Sequence, residues 1–430
     1  MLINIRSLAH AFLFLFVFII PIWPEYAAIK FGSLPGLNPQ RIIFIPMLSL
    51  WLLFIKYNNQ SFKNIIKELL NEKWLLILSF SYLIVRFVSI IYSPDPLAST
   101  YVVINDVLYF FFLIPISSSL LDNQDRISNA TILLVIAGII VLIIGVTESI
   151  LGKNVISTIL EPTNKDMVLA LASKARGSYR VQSTFSNPLA LAQYILLIFP
   201  LSVYQFRYGK YPIFKFMGFI FIILGIINIF LTGSRTPIVI AILLFLWYAI
   251  SGMIHIIRHT SGYLKLKFLI LIVPIISGIL IFSTVEMTQL IKGRTNLEQG
   301  SGMVRILQLA NGIPLIKAKP IVGYGPGKAA EEIGVGRVGT NHYTVDNYYL
   351  TLAVESGLPA MLLFTLIFFN VIKNYYKRSK TPDTNRISIF LNWSLLAFIL
   401  SLGVLSLKEI FPIAFFILAM SDKSYKIQNI

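Results

Sequence analysis

TILLVIAGIIVLIIGVT, residues 131–147, is a run of seventeen residues without a charged side chain. With its flanks, from residue 128 to 150, it is long enough as a helix to cross the ~30 Å hydrocarbon core of a bilayer. A helix satisfies its own backbone groups, which is what lipid demands. Similar runs recur along nearly all of the 430 residues, leaving no room for a soluble domain. The composition agrees: 56% of the chain is hydrophobic and 13% charged, against about 25% charged in an ordinary soluble domain, and mean hydropathy is +0.78.

Twelve apolar segments are predicted as spans, near residues 8 to 28, 41 to 56, 74 to 92, 101 to 121, 128 to 150, 187 to 206, 213 to 231, 234 to 254, 265 to 286, 347 to 372, 387 to 406 and 408 to 421. The fold class expected is all-α, a single integral membrane domain over 1–430 with about twelve transmembrane helices. The N-terminus resembles a signal peptide, but Pro21, Trp23 and Pro24 stand where small residues would mark cleavage, so it reads as a retained first span.

Net charge is +17. In a soluble protein that would suggest nucleic acid; here most of it is topology. With the N-terminus cytoplasmic, inner segments carry 19 Lys and Arg, and the short outer loops carry only Lys30, Arg41, Arg235 and Lys408. That bias is the one the positive-inside rule uses, and it puts both termini in the cytoplasm. Arg86 falls inside a span. No cysteine is present, and His10, His255, His259 and His342 are too scattered for a metal cluster, so no metal site is expected.

Residues 60 to 72 put Phe62, Ile65, Ile66, Leu69 and Leu70 on one helical face, which suits either a helix on the membrane surface or one packed on neighbouring spans. Two outer regions, 151 to 186 and 287 to 346, exceed what a connection needs. Met303, Ile306, Leu307, Ala310 and Ile313 recur at helical spacing in the second, which is expected to form a helical cap between spans nine and ten.

Three arginines lie on the outer side, where the charge rule does not ask for them: Arg180 before span six, Arg235 in the turn between spans seven and eight, and Arg305 in the cap. A single outer arginine is usually solvated or reaches for headgroups. Arg235, in a turn of two or three residues at the membrane border, has the strongest need of an anionic partner. Guanidinium groups hold phosphate oxygens in bidentate fashion, so several at one surface suggest a phosphate or diphosphate site. The glycine-rich Val-Gly-Tyr-Gly-Pro-Gly-Lys, 322 to 328, lacks the Ser or Thr and the strand of a nucleotide-binding loop and is better read as turns with positive φ at Gly323, Gly325 and Gly327. Asp346 and Asn347 sit at the start of span ten, where they serve as N-caps or as site residues. Glu355, two turns further in, is an intramembrane carboxylate and a functional candidate, with hydrogen bonding to a neighbouring span as its plainer role.

These residues resemble the O-antigen ligase and polymerase superfamily of bacterial envelope glycan assembly. The matching elements are Arg180 with Thr184-Phe185-Ser186-Asn187-Pro188, Thr232-Gly233-Ser234-Arg235, Arg305 followed by Pro320 and Gly323-Tyr324-Gly325-Pro326-Gly327, then Asp346-Asn347-Tyr348-Tyr349-Leu350 and Glu355-Ser356-Gly357-Leu358-Pro359, in order over 180–360. The resemblance implies a membrane glycosyltransferase of the GT-C class. Such an enzyme moves a glycan from an undecaprenyl pyrophosphate carrier to a sugar hydroxyl at the periplasmic face, by inverting displacement and without metal, nucleotide or other cofactor.

In it Arg180, Arg235 and Arg305 would hold the donor pyrophosphate, and Asn187, Asn347, Tyr349 and Glu355 would support the site. Ligases of this family carry His-Asn at the start of span ten, the His being the proposed base. Here Asp346-Asn347 stands there, so the base is Asp346 or, four residues earlier, His342. The Asp-Asn form favours a polymerase of O-antigen or exopolysaccharide over a ligase to lipid A core. The partners implied are the lipid-linked donor, a glycan or lipid A core acceptor, membrane lipids and a chain-length regulator, in the inner membrane. A flippase for the same lipid-linked sugars is the alternative from another class. It predicts two homologous halves and midplane charges; no repeat relates 1–210 to 211–430, and the candidate charges cluster outside.

Overall fold

The computed structural model describes residues 2–24, 27, 39–57, 73–159, 179–234, 237–241, 296–335, 345–378, 386–406 and 408–426. The helix expected at 60 to 72, on the membrane surface or packed on neighbouring spans, the segment 265 to 286 and all but the start of 234 to 254 lie outside them, as do Arg235 and His342. Among the described residues the secondary structure is helical throughout, without a strand.

In chain order the helices are α1 Leu2–Ile22, α2 Pro39–Tyr57, α3 Lys73–Ile91, α4 Pro96–Asp106, α5 Leu113–Leu120, α6 Gln124–Leu151, α7 Val155–Ile159, α8 Pro188–Tyr208, α9 Pro212–Leu231, α10 Asn296–Ala318, α11 Ala329–Ile333, α12 Tyr348–Arg378, α13 Arg386–Leu402 and α14 Phe411–Lys426. Six, within α1, α2, α6, α8, α9 and α12, are long and apolar enough to cross a membrane, and α3 and α13 contain shorter apolar helices. The chain is a multi-pass membrane protein.

The segment expected at 101 to 121 is not one regular helix. It begins at Pro96, capped by the Asp95 side chain, widens to a π-helix over Val107–Phe112, and resumes as α5. Hydropathy sees only that the stretch is apolar, whereas the widened turn depends on backbone bonds that composition does not encode.

The last helix sits at the centre. From Ile410 to Ser424 every residue is buried, and the stretch from Phe411 to Met420, apolar all round, belongs inside a bundle. Around it α8 packs on α9 and α13, α6 on α9 and α1, and α12 on α3 and α13. Burying apolar groups away from lipid yields no hydrophobic gain, so close packing must supply the attraction. Phe411 meets Tyr348 edge-on at 4.8 Å and Phe398 at 5.6 Å, while Phe364 lies 5.2 Å from both Tyr348 and Phe368; such ring pairs contribute about 0.5–1.5 kcal/mol each beyond their buried area. Gly218 lets α9 approach the α8 backbone, since a Cβ there would stand 2.6 Å from the amide of Phe206.

α12 is broken. Ser356 (φ −137°) and Gly357 (φ 77°, ψ 175°) leave helical geometry, and the freed amide of Leu358 donates to Pro320 O at 2.8 Å. A Cβ on Gly357 would lie 2.5 Å from the carbonyl carbon of Ile321 and 2.7 Å from Pro320 O. Gly357→Ala therefore combines left-handed strain with a backbone clash and is expected to cost about 2–4 kcal/mol. Gly152→Ala isolates the strain, because Gly152 has φ 64° with nothing within 4 Å, and should cost about 1 kcal/mol. Denaturation of the two variants in detergent checks the order; equal losses would contradict it.

Candidate active site

Of the resemblance residues that the structure describes, Arg180, Asn187, Asp346 and Asn347 lie at one end of the bundle, where α6 and α9 finish and α8, α12 and α14 begin. Arg180 lies in an extended segment joined to α9 by Val181 N–H donating to Leu231 O at 3.1 Å. Its Nε donates to Thr232 O and its Nη2 to Ser234 Oγ, both at 2.7 Å. The Thr232-Gly233-Ser234 turn is thereby wrapped on the Arg180 side chain, and a Cβ on Gly233 (φ 58°) would stand 3.4 Å from Arg180 Nε. Arg180 is the bracket of the turn that leads into Arg235. Asn187 caps α8, its Oδ1 accepting from Leu189 N at 2.8 Å, ahead of Pro188 at the first helical position.

Arg305, on α10, meets Asp346 at the mouth of α12: Nε to Oδ2 is 3.1 Å, with both side chains about one-third exposed (34% and 29%). The expected N-cap pair divides its work. Asn347 Oδ1 accepts from Leu350 N at 3.1 Å and caps the helix, while Asp346 turns its carboxylate to Arg305 and its amide to Gln308 Oε1 at 3.2 Å. Nε is the guanidinium's rear donor, so this pairing leaves the two-pronged Nη edge available to an anion. Tyr349 donates its hydroxyl to Ile399 O at 2.9 Å, tying α12 to α13.

Glu355 takes the plainer role in its strongest form. Fully buried Arg86 on α3 donates to it from Nη1 at 2.6 Å, to Asp106 from Nε at 2.9 Å and to Ser356 Oγ at 3.1 Å. The glycine-rich loop packs over this network, Gly323, Gly325 and Gly327 having φ 66°, 104° and 84° as expected of turns. Tyr324 N and Gly325 N donate to the carbonyls of Val354 and Glu355 at 2.9 and 2.8 Å, and Ser99 Oγ donates to Pro326 O at 2.7 Å. The loop braces the helix break.

The turn between α13 and α14 links the two arginine segments. Ser406 donates its hydroxyl to Val345 O, next to Asp346, and Glu409 accepts from both the amide and the hydroxyl of Ser186. Arg180 and the Arg305–Asp346 pair thus belong to one hydrogen-bonded end of the molecule.

Asp106, Glu148 and Glu409 are missed by the sequence reading. Asp106 and Glu148 lie within segments predicted as spans, so the argument that singled out Glu355 applies equally to both. Glu409 stands at the start of a predicted span with no motif to mark it.

Residues 220–365, about a third of the chain, match the family model described as O-antigen ligase. The matched stretch takes in Arg235, Arg305, Asp346 and Glu355 and leaves out Arg180 and Asn187. No curated protein matches the sequence.

Proposed function

We propose that this chain, which through residues 220–365 belongs to the O-antigen ligase and polymerase superfamily, is a glycosyltransferase of the polymerase kind working at the periplasmic face of the bacterial inner membrane. Its donor is a glycan on undecaprenyl pyrophosphate and its acceptor a sugar hydroxyl. Arg180, Arg235 and Arg305 hold the donor diphosphate and stabilise it as it leaves, work that a metal ion does in other enzymes. Asp346 aims Arg305 through Nε, and its other oxygen takes the acceptor's proton while the hydroxyl attacks the anomeric carbon from the opposite face. His342 is the other candidate base.

The observation that carries the reading is the Arg305–Asp346 pair. It sets a fixed cation beside a proton acceptor, half-shielded, at the mouth of a membrane helix.

A purified, reconstituted sample given a synthetic lipid diphosphate saccharide and a sugar acceptor should release lipid diphosphate and lengthen the glycan; no transfer to any sugar acceptor contradicts the reading. In the same assay Asp346→Ala should lower turnover by about 10²–10⁴-fold if Asp346 is the base, with His342→Ala close to the parent. The reverse order moves the role to His342, and full activity in both removes this proton-transfer step. Transfer to lipid A core alone identifies a ligase, the reading favoured by the description of the matched family. A flippase would move the lipid without lengthening its glycan.

A further inference from the structure

We infer that Glu148, buried at the end of α6, is a positioning residue that sets Arg180 and, through it, the turn leading to Arg235. The inference rests on the reading of Arg180 as a cation of the donor site.

Four donors converge on this one side chain. Oε1 accepts from the Tyr179 hydroxyl, Gln182 N at 3.3 Å and Asn154 Nδ2 at 3.3 Å, and Oε2 accepts from Ser183 N at 2.5 Å. Glu148 is 0% exposed. A site ringed by donors needs a group that only accepts, and among side chains of this size the carboxylate alone qualifies; an amide would turn an N–H against another N–H.

The residues it gathers flank Arg180: Tyr179 precedes it, and Gln182 and Ser183 follow. Ser183 has φ 54°, the one non-glycine residue with positive φ among those described. A side chain in that region persists only where its surroundings over-determine it. Here they do, since Ser183 also donates its hydroxyl to Val141 O at 2.6 Å and accepts from Asn154 Nδ2 at its carbonyl at 3.1 Å. The bend at Ser183 turns the chain from the Arg180 segment toward the α8 cap. On the other side, Arg180 bonds to Thr232 and Ser234 fix the next turn. The order of control is therefore Glu148, then the 179–183 backbone, then the Arg180 guanidinium, then the 232–234 turn.

A displaced cation weakens donor binding and leaves the acceptor site alone. The test measures KM for a synthetic lipid diphosphate saccharide and for the sugar acceptor in the parent, Glu148→Gln, Arg180→Ala and the double variant. Glu148→Gln should raise the donor KM by roughly 10- to 100-fold with the acceptor KM unchanged. In the Arg180→Ala background it should add no further rise, because the group it positions is gone. Multiplying effects, or a donor KM left at the parent value by Glu148→Gln while Arg180→Ala raises it, would overturn the inference and leave the donor-site reading intact. A parent-like donor KM in Arg180→Ala would overturn that reading for Arg180, and the inference with it. Should Glu148→Gln not reach the membrane, Tyr179→Phe removes one donor and keeps the carboxylate. It should raise the donor KM by a smaller factor, again only with Arg180 present, and an unchanged KM would overturn the inference.

Discussion

Arg86→Met is expected to destabilise the protein by about 3–5 kcal/mol, because it leaves charged partners buried without their cation. Arg86 is 0% exposed, and it holds Asp106 and Glu355 from two faces of its guanidinium. Removing it sets two desolvated carboxylates against each other where neither lipid nor water can relieve them. The damage should spread, since Glu355 and Ser356 lie at the break of α12 and the glycine-rich loop is braced on the carbonyls of Val354 and Glu355. Lysine in place of Arg86 is a poor repair, for a single ammonium cannot present separate donors to two carboxylates in fixed directions. Neutralising the whole set, Arg86→Met with Asp106→Asn and Glu355→Gln, should recover most of the loss. Unfolding of detergent-purified variants decides it. A stable Arg86→Met protein would show that the network does not hold the helix break together.

The second large effect falls on chemistry. Arg305→Ala and Arg235→Ala are each expected to abolish glycan product while the protein still accumulates in the membrane. Loss of one charge-stabilising donor at a reacting centre costs about 10²–10³-fold in turnover. Arg305→Lys should also be impaired, because Asp346 engages the guanidinium through Nε and leaves two parallel donors in front; an ammonium paired with Asp346 has no such fork. Western blotting against product analysis separates the two effects. Near-normal product from both alanine variants would remove the enzymatic reading.

The helical membrane class and several of its spans were legible because spans are written in composition. A seventeen-residue apolar run needs no partner to be recognised, and α6, α8 and α9 cover the segments expected for them. The cap at Asn347 was legible for the same local reason, since it stands before the apolar start of α12 and serves an amide three residues on; Asn187 was read only as supporting the site, and the structure makes it the cap of α8.

What stayed hidden is what depends on distance along the chain. Arg86 reads as an isolated charge inside a span until Glu355, 269 residues away, is folded against it. Glu148 carries no motif, and three of its four donors come from a segment more than thirty residues later. The divided work of Asp346 and Asn347 was open in the sequence, because either residue type makes an N-cap; the position of Arg305 decides it. The break at Ser356–Gly357 lay in plain sight as Ser-Gly-Leu-Pro, yet apolar content on both sides made one continuous span the simpler reading.

The proposed reaction depends on recognition of a lipid-borne diphosphate by guanidinium groups, Arg305 foremost. Its most direct test is equilibrium binding of farnesyl diphosphate and farnesyl monophosphate to the protein in lipid nanodiscs, parent against Arg305→Ala. The parent should bind the diphosphate more tightly than the monophosphate, and the variant should lose that preference. Equal binding of the two lipids, unchanged by Arg305→Ala, would contradict it.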